Sequence, residues 1–311
     1  MRTLTLGPRN LRVSELCLGT MYFGTRADQA TSYRLLDQYV DAGGSFLDTA
    51  NIYAHWVPDG VAGESELLLG RWLAERGHRS QMFIASKVGF AYPGAKGGLR
   101  AAHIKAECEK SLRRLAVDTI GLYYAHCDDR DTPLEEVLAA FDALVQSGKV
   151  RAIGASNYAA WRLEEARCIA LSHDWPQFCC IQQRYSYLRP RQGADTSPQI
   201  VGNEEMLDYC RSRGIAFLAY TALMRGAYSG RPLMNEYRGP DTDARLATLT
   251  SVARETDTTP GQVVLAWLRQ SNPTVIPVIS ASNPEQLAEN LAALALTLNQ
   301  EQMARLNTAG V

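Results

Sequence analysis

Short apolar runs alternate with longer segments whose apolar residues recur at helical spacing, and this alternation continues along most of the chain. The first two runs, 4–6 and 11–13, flank Gly7-Pro8-Arg9-Asn10 and predict a small β-hairpin. Core strands are predicted at 15–18, 45–48, 82–87, 120–126, 150–156, 179–184, 216–220 and 274–279. Helical patterns lie between them at 27–42, 63–77, 101–115, 133–148, 158–171 and 203–213. Two more, 245–256 and 260–269, precede the last strand; 284–294 and 300–306 follow it. Glu64 and Glu66 suit the positive end of the second helix, Gly77 ends it, and Pro133 opens the fourth.

Eight strand–helix alternations with short connections imply parallel strands joined by right-handed crossovers. A single (β/α)8 TIM barrel over 1–311 fits that order and length, with the hairpin closing its bottom. The alternative is an open doubly wound sheet, which needs a Gly-rich fingerprint after its first strand. Gly19-Thr20-Met21-Tyr22-Phe23-Gly24 has the wrong spacing for one. The barrel is the expected fold.

Composition narrows the function classes. With 46% hydrophobic and 21% charged residues the chain can bury a large core. A formal net charge of −1 gives no pull toward nucleic acid or an anionic membrane, so neither is an expected partner. No apolar run approaches the ~20 residues of a membrane span, and the first residues lack a signal-peptide pattern. A cytoplasmic location is expected. Seven cysteines show no CxxC or zinc-ligand spacing; six are expected to be small buried hydrophobes, and Cys127, next to His126, to border a cleft.

The chemistry is expected at strand exits, because barrel active sites lie on the C-terminal face. Asp48 ends the second strand and Tyr53 follows in its loop; Lys87 ends the third, and His126 the fourth. Alone, each has an ordinary structural role. Together they form a proton-transfer set able to polarise a carbonyl and protonate the alkoxide. A phenol with a free pKa near ~10 is a poor acid, and an adjacent ammonium lowers that value. Lys87 is expected to do this for Tyr53, with Asp48 anchoring Lys87 and His126 bonding the same substrate oxygen. None of the four is an electron source, so a reductant must come from elsewhere.

This tetrad, set in Leu47-Asp48-Thr49-Ala50-Asn51-Ile52-Tyr53, resembles that of the aldo-keto reductase superfamily, and the likeness covers nearly the whole chain. The resemblance implies NAD(P)H-dependent reduction of an aldehyde or ketone. It places Ser156, Asn157 and Gln182 on the nicotinamide carboxamide and Tyr220 on the nicotinamide ring. Gly19, Thr20 and Met21 are assigned to the cofactor at the first strand exit, and Arg231 to the pyrophosphate. Ser280, Ser282, Gln286 and Asn290 fall in the adenosine-end segment. The family commonly carries an arginine or lysine there for the 2′-phosphate, whereas this chain has Ser282 and Asn283. NADP is the expected cofactor by resemblance, with NAD the alternative. The short tail beyond Asn290 implies an open pocket suited to sugars or natural-product ketones.

Tyr22, Trp56 and Phe90 lie just past strand exits and are expected to wall the substrate pocket, with Tyr92 and Tyr187 further candidates. Asp128, Asp129 and Asp131 read as a solvated loop before Pro133, so no metal is expected. Two other classes are a nucleotide-binding regulatory subunit with little turnover and a metal-dependent barrel hydrolase; the second lacks a ligand cluster.

Overall fold

A computed structural model describes residues 1–7, 11–57 and 60–310. Strands β1 (Thr3–Leu6) and β2 (Leu11–Ser14) pair antiparallel, Thr3 opposite Ser14 and Leu6 opposite Leu11. The expected turn at Pro8–Asn10 lies outside the described residues. Eight further strands close into a parallel barrel: β3 (Cys17–Gly19), β4 (Phe46–Asp48), β5 (Phe83–Val88), β6 (Ile120–Ala125), β7 (Val150–Ser156), β8 (Cys180–Arg184), β9 (Ala216–Tyr220) and β10 (Val275–Ile279). β10 pairs with β3 to complete the ring. The expected (β/α)8 TIM barrel is the observed fold.

Helices α1 (Gln29–Asp41), α2 (Glu64–Arg76), α3 (Ala101–Leu115), α4 (Leu134–Gln146), α5 (Ala160–Ser172) and α6 (Glu204–Arg213) follow successive barrel strands. α7 (Thr242–Glu255) and α8 (Pro260–Gln270) both precede β10, and α9 (Pro284–Ala292) and α10 (Gln300–Thr308) follow it. Local chemistry sets their ends. Asp28 caps α1 by accepting from the Thr31 amide at 2.8 Å, so the helix starts two residues later than the apolar pattern suggested. Thr259 and Gln262 form a reciprocal capping box at α8. α2 and α6 end at left-handed glycines, Gly77 and Gly214.

Strand alternation sorts the barrel interior into layers. Phe46, Ala85, Leu122, Tyr124, Ala152, Cys180, Leu218 and Ile276 belong to one inner apolar cluster. Stepping two residues toward the strand exits leads from Phe46 to Asp48, Ala85 to Lys87, Tyr124 to His126, Cys180 to Gln182 and Leu218 to Tyr220. The barrel is therefore apolar below and polar above. Gly154 is small because the Tyr124 ring fills the interior: a Cβ there would sit 2.7 Å from Tyr124 Cε1. A larger second cluster packs strand outer faces against the helices.

The hairpin closes the bottom, since Leu6 and Val13 join the inner cluster. Buried Glu15 pins this plug: it accepts from Arg2 Nη2 at 2.8 Å and lies 2.8 Å from Arg269 Nη2 on α8. Burial raises the Glu15 pKa, but hydrogen bonds from Arg2 and Arg269 outweigh it and hold the carboxyl below its usual range. A depressed native pKa stabilises the fold above the unfolded-state value, and that contribution is lost as pH falls through the native one. Glu15→Gln is thus expected to lower the melting temperature at pH 7, with the gap to wild type closing toward pH 3. Thermal melts across that range check it; a constant gap would show that the charge of Glu15 does not matter.

Candidate active site

β4 and the turn after it deliver the central pair. Thr49 N bonds Ala85 O at 2.9 Å and Asn51 N bonds Lys87 O at 3.2 Å, folding the turn over β5. Tyr53 N then bonds Ala50 O at 3.1 Å, and Ala54 takes a left-handed φ of 91°. This winding brings Tyr53 back over the barrel mouth. Lys87, wholly buried, donates to Asp48 Oδ1, to Thr49 O at 2.9 Å and to the Tyr53 hydroxyl at 3.0 Å. All three ammonium protons have acceptors. Gln182 Nε2 bonds the other Asp48 oxygen at 2.8 Å, so the carboxylate is also fixed.

His126 completes the group from β6. Its ring lies 6.2 Å from that of Tyr53 and 4.7 Å from that of Phe90, edge-on in both cases. Its Nδ1 is buried without a partner among the described residues. Burial first, and the nearby Lys87 charge second, push its pKa well below the usual histidine value. The ring is therefore neutral at neutral pH, an uncharged hydrogen-bonding group. Burial opposes the Lys87 charge, yet Asp48 and Tyr53 outweigh it and keep the ammonium pKa above the ordinary lysine value.

Tyr53 departs from expectation in one respect. Burial raises its pKa by more than Lys87 lowers it, and Asp48 adds to the rise, so the net shift is upward. The ammonium pulls in the expected direction without winning. The phenol therefore stays protonated through the neutral range.

These groups open on a cleft of about 460 Å³ across the barrel mouth. Asp48, Tyr53 and His126 line it, as do Gly19, Met21, Ser156, Asn157, Gln182 and Tyr220. Tyr22, Trp56 and Phe90 add aromatic rings to the lining, Trp56 beside Tyr53 and Phe90 beside His126; Arg231, Ser280, Ser282, Gln286 and Asn290 also face it. Lys87 lies beneath the floor, reaching the cleft through Tyr53 and Asp48.

The chain belongs to the aldo/keto reductase family. The family's model matches residues 15–310. An uncharacterized oxidoreductase YrpG of Bacillus subtilis is 33% identical over 97% of this chain and 94% of that protein. The norsolorinic acid reductase stcV of Emericella nidulans is 35% identical over 94% of this chain and 77% of its own length. An aryl-alcohol dehydrogenase of Pestalotiopsis microspora is 29% identical over 96% of this chain and 79% of its own. Family membership makes the chain an oxidoreductase and supports carbonyl reduction in general terms.

In this aldo/keto reductase several expected neighbours lie elsewhere. Thr20 does not line the cleft: its hydroxyl is 2.7 Å from Ser65 Oγ and 3.1 Å from Asp48 O, bracing the floor from behind. Tyr92 turns away to Glu107, and Tyr187 is buried against Trp267. Asp129 accepts from the Leu99 amide and the Thr132 hydroxyl, each at 2.7 Å, while Asp128 pairs with Arg130 and Arg162. Among the described residues no group of three His, Cys, Asp or Glu side chains could hold a metal ion. Five cysteines are buried as expected, but Cys168 is exposed on α5; burial pushes the Cys127 thiol up to about 12. No helix among the described residues is long and apolar enough to cross a membrane.

Other lining residues escaped the sequence reading. Thr221, Met224 and Arg225 adopt left-handed φ of 57°, 50° and 55°, and Gly226 one of 92°. This costly backbone run curls the segment after β9 into a 3-10 turn and brings Arg225 to the cleft. Non-glycine residues at positive φ leave no compositional signal, so only the adjacent Gly226 hinted at it. Gln199, from the long loop after β8, also lines the cleft, held by Arg184 Nη1 at 3.2 Å.

Proposed function

We propose that this protein reduces an aldehyde or ketone to its alcohol with NADPH, using Tyr53 as general acid. The observation that carries the reading is the buried chain from Asp48 through Lys87 to the Tyr53 hydroxyl, ending at the cleft beside His126. When bound, the reduced nicotinamide supplies a hydride to the carbonyl carbon. Tyr53 gives its proton to the developing alkoxide oxygen. Lys87 stabilises the phenolate left behind, Asp48 keeps Lys87 charged and placed, and neutral His126 orients the carbonyl oxygen.

The donor set suits a nicotinamide nucleotide. Ser156, Asn157 and Gln182 supply amide and hydroxyl groups for the carboxamide, and Tyr220 a ring face; the Asn157 side chain is itself steadied by the Tyr220 hydroxyl at 2.7 Å. Arg225 and Arg231 would meet the pyrophosphate. Ser280, Ser282, Gln286 and Asn290 would take the adenosine end. Tyr22, Trp56 and Phe90 favour flat, apolar carbonyl compounds such as aryl aldehydes and ketones. One relative is named an aryl-alcohol dehydrogenase. Consumption of NADPH and NADH against a panel of aldehydes and ketones tests the proposal; tight cofactor binding with a blank panel would favour a regulatory role.

Cofactor preference is testable at Ser282. Its amide and hydroxyl both donate to Gln286 Oε1, at 2.9 and 3.1 Å, and being uncharged they give a 2′-phosphate no charge-assisted contact. A new arginine adds a charge-assisted contact of about 1.5–3 kcal/mol. Ser282→Arg is expected to tighten NADPH by roughly ten- to a hundredfold, ~1.4 kcal/mol being tenfold. NADH should change little. Paired dissociation constants check this, and equal changes for both would show that residue 282 does not face the 2′ position.

A further inference from the structure

Glu107 lies on α3, outside the cleft, and is buried. A buried carboxylate is costly unless well bonded, and this one collects donors from three directions. Asn51 Nδ2 donates at 2.7 Å, Lys110 Nζ at 2.7 Å, and the Tyr92 hydroxyl lies 3.0 Å from both oxygens.

Two of those donors belong to the walls of the site. Asn51 sits within the turn between Asp48 and Tyr53, where its own amide is tied to Lys87 O. Tyr92 belongs to the loop that carries Phe90 against His126, closed at its base by Gly98 N to Gly89 O at 2.7 Å. Lys110 is half-exposed and reaches in from solvent. One carboxylate thus ties the turn that holds the proton donor to the loop that walls the substrate pocket.

We infer that Glu107 is a positioning residue, setting Tyr53 through Asn51 and the Phe90 wall through Tyr92. Its two arms act on different kinetic constants. A displaced Tyr53 weakens its contact with Lys87 and slows the chemical step. A displaced Phe90 reshapes the pocket and changes substrate affinity. The kinetic side of this inference rests on the carbonyl-reductase reading; the geometric side does not.

The test compares Asn51→Ala, Tyr92→Phe, Glu107→Gln and Lys110→Met with wild type. Readouts are kcat and KM for a small and a bulky aryl aldehyde, melting temperature, and crystal structures. Asn51→Ala should lower kcat about tenfold with KM within about twofold, the loss of one hydrogen bond to a charged group. Tyr92→Phe should raise KM for the bulky aldehyde about fivefold and leave kcat unchanged, since the wall affects binding alone. Glu107→Gln should show both effects, and Lys110→Met neither. In the crystals, the Tyr53 oxygen should move away from Lys87, lengthening the 3.0 Å contact in Asn51→Ala, and Phe90 should shift from His126 in Tyr92→Phe. Because Tyr92→Phe removes a single oxygen, it decides the matter if Asn51→Ala does not fold. Lower melting temperatures with unchanged kcat and KM, and with Tyr53 and Phe90 in place, would overturn the inference. A wild type that reduces no carbonyl would overturn the functional reading alone, because the crystal structures still decide the positioning.

Discussion

Replacing Tyr53 by phenylalanine is expected to cut carbonyl reduction by about 10²–10⁴-fold, the usual contribution of a positioned general acid. Only the hydroxyl is lost. The ring keeps its edge-on contact with Trp56 at 5.6 Å, and Lys87 keeps Asp48 and Thr49 O as partners. Melting temperature and the NADPH dissociation constant should therefore stay close to wild type. Steady-state rates with a fluorescence titration of cofactor check the separation. Turnover near normal in this variant would remove Tyr53 from the role.

The second large effect is expected at the buried ion pair, where activity and stability should part company. Lys87→Met should abolish turnover and also destabilise, because Asp48 is left buried and charged with only Gln182 as a side-chain donor. Asp48→Asn leaves the Lys87 charge buried without its carboxylate, so burial is free to lower the ammonium pKa. That variant should retain more activity, since Lys87 can still reach Thr49 O and Tyr53. Each single change should cost about 3–5 kcal/mol, the range for an orphaned buried charge. The double variant has no orphan and should recover most of that loss while staying inactive. Denaturant unfolding and rates on the three variants check it; an active Lys87→Met protein would reverse the assigned roles.

The barrel was legible because its strands are short apolar runs with turn residues at their ends. Val150–Ser156 and Ala216–Tyr220 were placed to the residue. Asp48, Lys87 and His126 were readable because each closes such a run, which on a parallel barrel brings them together. Side-chain direction was less legible. Thr20 shares a segment with Gly19 and Met21, yet alternation turns its hydroxyl down toward Ser65. The balance at Tyr53 could not be read at all, since burial there depends on how Trp56 and His126 pack around the ring. Glu107 gave no sign either: a glutamate in an amphipathic helix looks solvated until Asn51 and Tyr92 are seen to meet it.

The most direct measurement of the central claim is the pH dependence of kcat/KM, which reports the free enzyme's groups, in both directions on the wild-type enzyme. Reduction needs the phenol and alcohol oxidation needs the phenolate. With its pKa raised above the ordinary tyrosine value of 10.0, Tyr53 is protonated throughout the neutral range. Reduction should therefore stay level from neutral pH to about pH 10, the free phenol value. Oxidation should climb about tenfold per pH unit over the same span, as a group ionising above its ambient pH requires. A reduction rate that falls away below about pH 8, with oxidation already level there, would place the titrating group far under any buried phenol. That result would contradict Tyr53 as the acid.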